Sequence, residues 1–379
     1  METLKITYFK EANAIPKTVY THLGCEENLY FNPLFLSAFE TANPHIYYHY
    51  LFIKQHQKPV ALAVIQELDV LLDNATETLP LPKRFARSLQ CYLSNRKTHV
   101  LVCGNVFLSG KYGIISTTGI VSEHIYSCVV KHVKQLKTHK KAAGFFFKDF
   151  CDTDIPFVNA IKTHQFEPFA VEPNMRLKMR WSSFDAYKND LKSKYRVKVN
   201  RADQKSKDLR VIPLDAAAVE QHLETLEQLY QNITERAGFH AVPLSLSTYV
   251  LLKKRFRESV YIYSYWHKYD LVGFTTAFFN GTTIDAHFIG IDYDQNKNLA
   301  IYPRMLNDYI RLAVRTGASE LNFGRTASEI KSTLGAEPES LCCYVKHRRT
   351  AANLVFKPLI RQIKMTEYKQ HTPFKKKKS

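Results

Sequence analysis

HFIGIDYDQNKNLAIYPRMLNDYIRLAVRTGASELNFGRTASEIKSTLGAEP, residues 287–338, carries the reading of the whole chain. Its first part belongs to a strand, TIDAHFIGID (283–292). The alternation there sets Asp285, His287 and Ile289 on one face and Ala286 and Phe288 on the other. A helix follows. Pro303 stands near its start, where a missing N–H costs nothing. Tyr302, Met305, Leu306, Tyr309, Ile310 and Ala313 recur at helical spacing, and Gly317 supplies the stop. A second strand, around Leu321 and Phe323, then hands over to a helix-like run through Gly324, Arg325 and Thr326. Such a junction is a common place to hold an anion, because the first helical N–H groups have no partner of their own. It is also the ordinary way to build strand, turn and helix.

The same order of elements occurs earlier in the chain. YYHYLFIKQHQKPVALAVIQEL (47–68) and SVYIYSYWHKYDLVGFTTAFFN (259–280) each read as strand, Lys-bearing polar turn, strand. SCVVKHVKQLKTHKKAAGFFFKDF (127–150) and LAIYPRMLNDYIRLAVRTGASELNFG (299–324) each read as helix, then strand. The hairpins lie about 212 residues apart and the helix–strand units about 177, so the first half carries extra sequence, placed at 69–110. A duplicated unit of this kind is α/β (α+β), with a mixed central sheet flanked by helices. The expected division is a first domain over 1–180, a second over 181–350 and a basic tail over 351–379, since 379 residues exceed one ordinary core. At the junction, WSSFDAYKNDLKSKYRVKVNRADQKS (181–206) predicts one amphipathic helix. Ser182 and Asp185 form a capping box, Phe184, Tyr187, Leu191, Tyr195, Val199 and Ala202 make the apolar face, and Lys192, Lys194, Arg196, Lys198 and Arg201 surround it.

Composition bounds the class. Hydrophobic residues are 45%, with 22 Tyr and 24 Phe, enough for a buried core. No apolar run has membrane-spanning length. The opening METLKITYFKEANA has acids and no leader-like apolar segment, so a cytoplasmic protein is expected. Seven cysteines without a C-x-x-C argue against a disulfide framework and against a zinc site, and no metal is expected. The net charge of +18 is concentrated. Residues 344–379 hold 11 Lys/Arg against one Glu, and residues 188–210 hold nine against three Asp, leaving +2 for the rest. Local basic features of this kind meet phosphates on nucleic acid, anionic lipid or a phosphorylated carrier.

The run 287–338, with YVKHR (344–348), resembles the Fem-type family of acyltransferases, in which two GNAT-like domains stand in tandem, and within it the group named for peptidoglycan biosynthesis and recognition. NPLFLSAFE (32–40) and LVCGNVFLSGKYGI (101–114) are similar to the same group. The resemblance covers most of 20–350 and implies two tandem GNAT-like N-acyltransferase domains, the second holding the site and the first degenerate. It implies an acyl donor, CoA or an acyl carrier protein thioester, as co-substrate rather than a bound cofactor, and an amine acceptor. One departure stands out. Where GNAT acetyltransferases cradle the CoA pyrophosphate in a glycine turn, this chain reads DQNKNLAIYP (294–303), with no glycine. The alternative is a Fem-type transfer of an amino acid from aminoacyl-tRNA to a cell-wall precursor, in which the basic segments would meet tRNA.

The site residues follow from that placement. His287, whose ordinary pKa lies near working pH, is the candidate base with Asp285 beside it, against the reading of a histidine satisfied in the core. Asp292 and Asp294 cap the helix or touch the amine. Tyr302 and Arg304 lie where donor phosphates would sit, unless Arg304 is a solvated helix charge. Asn322, Arg325, Thr326, Glu329 and Lys331 line the turn after the second strand. There Arg325 holds an anion or pairs with Glu329 across one helical turn. Lys346, His347 and Arg348 extend a basic rim or form a solvated edge. The basic tail with Leu354, Val355, Leu359 and Ile363 would dock on an anionic membrane, placing the protein at its inner face near a lipid-linked acceptor, or would remain a solvated tail.

Overall fold

The computed structural model describes residues 4–71, 97–117, 121–150, 153–236, 242–361, 365 and 367–375. Much of the extra sequence expected at 69–110 lies outside the described residues, as do Lys364 and Lys376–Lys378 of the tail. The chain forms two compact units. Unit 1 takes Met1–Glu172, Gly238–Leu244 and Ser340–Thr366, and unit 2 takes Pro173–Ala237, Ser245–Glu339 and Glu367–Ser379.

Unit 1 is built on β1 (Leu4–Phe9), β2 (Tyr47–Gln55), β3 (Lys58–Leu71), β4 (Lys97–Cys103) and β6 (Gly144–Phe150), in that order across the sheet, with β5 (Ile114–Ser116) on the flank of β3. All neighbours are antiparallel except β4 and β6, which are parallel and joined through the helix Glu123–Val133. The hairpin β2–β3 is the strand–turn–strand of 47–68, with His56 and Gln57 of its tight turn in the left-handed region. Phe147, Phe150 and Phe157 pack with Tyr126, Val129 and Val133 in one apolar cluster.

Unit 2 repeats this order with β8 (Leu209–Pro213), β9 (Val260–His267), β10 (Asp270–Asn280), β11 (Thr283–Ile291) and β12 (Glu320–Asn322). Again every pair is antiparallel except the last, β11 with β12, joined through the helices Tyr293–Leu299 and Ile301–Thr316. The 301–316 helix is the one the sequence marks. Met305, Leu306, Tyr309, Ile310 and Ala313 are buried, and Gly317 closes it in the left-handed region.

The division at 180 and 350 is corrected by where each sheet ends. The β12 edge in unit 2 is closed by Arg176–Lys178 of β7 (Glu167–Lys178), and the β6 edge in unit 1 by Cys342–His347 of β13 (Glu337–His347). Each sheet thus takes its last strand from the other half of the sequence. A strand edge needs hydrogen-bond partners but does not specify which part of the chain supplies them.

The helix expected over 181–206 is two helices, Phe184–Asp190 and Ser193–Lys205, with Ser183 rather than Ser182 as the cap. They part because Leu191 is extended and bridges to Phe374, flanked by the hydrogen bonds Lys192 N–H to Pro373 O and Lys375 N–H to Asp190 O. Phe374 lies against Trp181 and Tyr187 and covers Gly335, where a Cβ would come within 2.2 Å of its ring. Part of the expected tail is therefore packed. A further part is the helix Thr350–Ile360, which runs through Pro358.

Candidate active site

The site begins where β12 leaves β11. Their parallel register runs Thr283–Glu320, Ile284–Leu321 and Asp285–Asn322 and ends there. At that last pair, Asn322 Nδ2 donates to Asp285 Oδ1 at 2.8 Å, both side chains buried, and Gly324 N–H donates back to Asn322 Oδ1 at 2.9 Å. Phe323 and Gly324 pair instead with Met175, so the chain after β12 follows β7 and the edge of β11 opens.

At the same point β11 carries a bulge. Thr275 faces Ile289 and Ala277 faces Ala286, so Thr276 alone stands opposite both His287 and Phe288. This corrects the simple alternation. Ala286 packs in the cluster built on the 301–316 helix, and so does Ile289. His287 and Phe288 both meet other helices, His287 reaching Tyr249 of Ser247–Arg255 and Phe288 reaching Tyr230 of Leu223–Arg236. Ile289 therefore does not share the face of Asp285 and His287. A one-residue insertion shifts the parity of every side chain beyond it, which a period-2 reading cannot register.

The half-buried His287 ring lies among Phe278, Phe288 and Tyr249. Its Nδ1 is 2.6 Å from the Tyr249 hydroxyl, which is 3.0 Å from Thr276 Oγ1, itself 2.7 Å from the Phe288 carbonyl. Burial pushes the Tyr249 phenol well above its ordinary range, so it stays protonated. Sequence reasoning missed Tyr249 and Thr276. Neither is near His287 in the chain, and TTAFF at 275–279 gives no sign that one threonine faces a bulge.

The other predicted residues fall into separate places. Arg304 is held by Asp308 through both carboxylate oxygens, at 3.0 and 2.9 Å, and reaches Ser206 Oγ at 3.3 Å. Tyr302 packs in the core clusters, where burial raises its phenol. The first turn of the 301–316 helix is already engaged, Tyr302 N–H donating to Asn296 Oδ1 at 2.9 Å. Asp292 caps the 293–299 helix, accepting from the N–H groups of Asp294 and Gln295.

The turn after β12 differs from the expected anion seat. Gly324, Thr326 and Ala327 are all left-handed, and the following helix, Ser328–Ser332, is only five residues long. Lys331 is buried and its ammonium donates to the carbonyls of Gly324 (3.2 Å) and Arg325 (2.6 Å), so it staples the loop. Glu329 pairs with His371 at 3.1 Å, not with Arg325. Arg325 is half-buried and Thr326 exposed in the same loop, and Lys346 donates to the His164 carbonyl at 2.7 Å. The structure thus joins Asp285 with Asn322, and His287 with Tyr249 and Thr276, around one opening of the sheet. Tyr302 and Arg304 belong to a helix packed on the opposite side of β11.

No protein-family model and no curated protein sequence matches the chain. Among solved structures, FemX matches 90% of this chain and 99% of its own at a TM-score of 0.57 and 12% identity. L-PGS from Bacillus licheniformis matches 94% and 98% at 0.53 and 10% identity. A DUF2156 domain from Agrobacterium fabrum, assigned to a lysylphosphatidylglycerol synthetase, matches 91% and 94% at 0.50 and 8% identity. At these identities the likeness is one of fold, and the fold is that of FemX and L-PGS, as the resemblance of the run 287–338 to the Fem-type family led one to expect.

Proposed function

We propose that this chain, with its Fem-type, GNAT-like fold, is a transferase that moves an acyl group from a carrier-held thioester to an amine. The observation that supports it most is His287, half-buried in a bulge of β11 where β12 diverges and a sheet edge opens. An ammonium has no lone pair to attack with. His287 takes its proton, the amine nitrogen bonds to the donor carbonyl carbon, the C–S bond breaks, and the thiolate leaves to be reprotonated. Asp285, held by Asn322, is the acidic side chain on the same strand that would pair with an incoming ammonium.

The donor is a thioester of CoA or of an acyl carrier protein. The engagement of the first turn of the 301–316 helix by Asn296 favours a donor held through its carrier over one held by its pyrophosphate. A second reading, aminoacyl-tRNA as donor, is favoured by one surface. Lys194, Lys198, Arg201 and Lys205 fall at i, i+4, i+7 and i+11 of the 193–205 helix, all exposed. The acceptor amine is lipid-linked if Arg348, Arg349 and Leu354, the last 77% exposed, meet an anionic membrane at its inner face.

The test offers wild-type protein and His287→Ala a panel of acyl-CoAs, acyl carrier proteins and aminoacyl-tRNAs with amine acceptors. Transfer from a thioester that His287→Ala abolishes supports the first reading. Transfer only from tRNA, weakening steeply with salt, replaces it with the second. A wild-type protein inert with every donor sinks both.

A further inference from the structure

We infer that His371, on the C-terminal segment 367–375, is a positioning residue that ties the loop after β12 to the basic helix Ser193–Lys205. The consequence rests on the reading of the β11–β12 opening as the transfer site, but the tie itself stands on geometry. The loop does not hold its own shape. Thr326 and Ala327 are consecutive left-handed residues, a conformation disfavoured wherever a side chain is present. The Ser328–Ser332 helix that follows is too short to be stable alone. Such a backbone persists only where its surroundings enforce it. From within, the Lys331 ammonium does so by donating to the carbonyls of Gly324 and Arg325. From outside, the segment 367–375 does so. The His371 N–H donates to the buried Ser332 Oγ at 3.2 Å, Gln370 Nε2 donates to the Ala336 carbonyl at 3.0 Å, and Phe374 covers Gly335.

The other side of the same segment is fastened at the start of the basic helix. The Lys192 N–H donates to the Pro373 carbonyl at 2.8 Å, and the Lys192 ammonium donates to the Thr372 carbonyl at 2.7 Å. One ring joins the two sides. His371 Nε2 lies 3.1 Å from Glu329 Oε1 on the loop's short helix, and Nδ1 lies 3.1 Å from the Tyr195 hydroxyl on the basic helix. From the loop the contacts run inward to the opening of the sheet. Lys331 holds the Gly324 carbonyl, the Gly324 N–H donates to Asn322, and Asn322 donates to Asp285. The strap therefore sets where the loop stands beside Asp285, and it does so relative to the helix whose outer face exposes Lys194, Lys198, Arg201 and Lys205.

The test follows hydrogen–deuterium exchange in full-length protein over 324–336, with β9–β11 as an internal reference, and needs no substrate. His371→Ala should speed exchange of the loop by more than about tenfold and leave the reference strands unchanged. Tyr195→Phe removes only a hydroxyl on the helix side and should still speed the loop by about threefold. The double variant should be no faster than His371→Ala, since both substitutions cut one connection. Glu329→Gln, which keeps an oxygen facing Nε2, should hold the loop near wild type, whereas Glu329→Ala should match His371→Ala. Urea melts confirm that each variant is folded. An unchanged loop in His371→Ala or in Tyr195→Phe overturns the tie, and so does exchange that rises equally throughout unit 2. Where transfer is measurable, Tyr195→Phe should raise KM for the amine by about threefold with KM for the donor unchanged. A loosened loop with both constants unchanged overturns the positioning role. A wild-type protein that transfers nothing sinks the transferase reading, and the exchange result alone then decides the tie.

Discussion

The two units share one strand order, yet they treat their buried polar residues in opposite ways. In unit 1, Glu67 of β3 is fully buried and saturated. His49 Nε2 and His99 Nε2 each lie 2.7 Å from it, the His139 N–H donates to it at 2.7 Å, and His139 Nδ1 lies at 3.3 Å. The other nitrogen of His99 meets Asp69 at 2.6 Å, and Asp69 also accepts from Lys140. The carboxylate is enclosed by donors, and among the described residues no such group is arranged to hold a metal ion. In unit 2 the corresponding hairpin carries Thr276, and the next strand bulges and keeps His287 half-buried at an opening. A saturated network rigidifies a sheet, whereas a base at an opening can meet a substrate. The comparison teaches that the same topology can spend its buried polar residues on structure or leave them at the edge for chemistry.

The largest expected effect would break the first half of that comparison. Glu67→Gln leaves three histidines facing an amide and should destabilise unit 1 by about 3–5 kcal/mol, read as a lowered urea midpoint. A loss under about 1 kcal/mol would mean the cluster is not what holds β2, β3 and β4 in place. The pH dependence sharpens the same point. Burial pushes the Glu67 carboxyl up, but the hydrogen bonds from His49, His99 and His139 outweigh it and hold it at about 2. A depressed carboxylate contributes stability above its unfolded value. That stability should fade as pH drops from about 4.5 toward 2, and Glu67→Gln should flatten this limb of the denaturation curve.

The next effect in size tests the second half. His287→Ala should lower transfer more than tenfold while moving the melting temperature by no more than about 2 °C. If it melts well below wild type, His287 is a core residue like His49 and the contrast collapses. Phe374→Ala should follow, costing about 1–2 kcal/mol, because the ring fills the space over Gly335 beside Trp181 but is not fully enclosed. An unchanged melting curve would show that the bridge of Leu191 to Phe374 is not what separates the two basic helices. Arg304→Ala should do least. Its guanidinium is occupied by Asp308 across one turn, so about 1 kcal/mol or less of stability should go and turnover should hold. A fall in donor affinity would return Arg304 to the site from which its ion pair removes it.

What was legible in the sequence was the repeated order of elements. Hydrophobic periodicity made the hairpins and the 301–316 helix readable, since burial of one face of a strand or helix is written at spacings of two or of three and four residues. His287 and Asp285 were legible as polar residues on an apolar strand. The tertiary structure alone decided the rest. The closing strand of each sheet comes from the distant half of the chain, because strand edges are satisfied by backbone groups that every residue carries. The bulge at His287 and Phe288 is a register fact, fixed by what β10 offers opposite and not by the residues of β11. His287 meets Tyr249, which in turn accepts from Thr276, and Arg304, Lys331 and Glu329 are claimed by Asp308, by loop carbonyls and by His371. A charge in a sequence announces that it needs a partner, and only the folded chain determines whether that partner is already present.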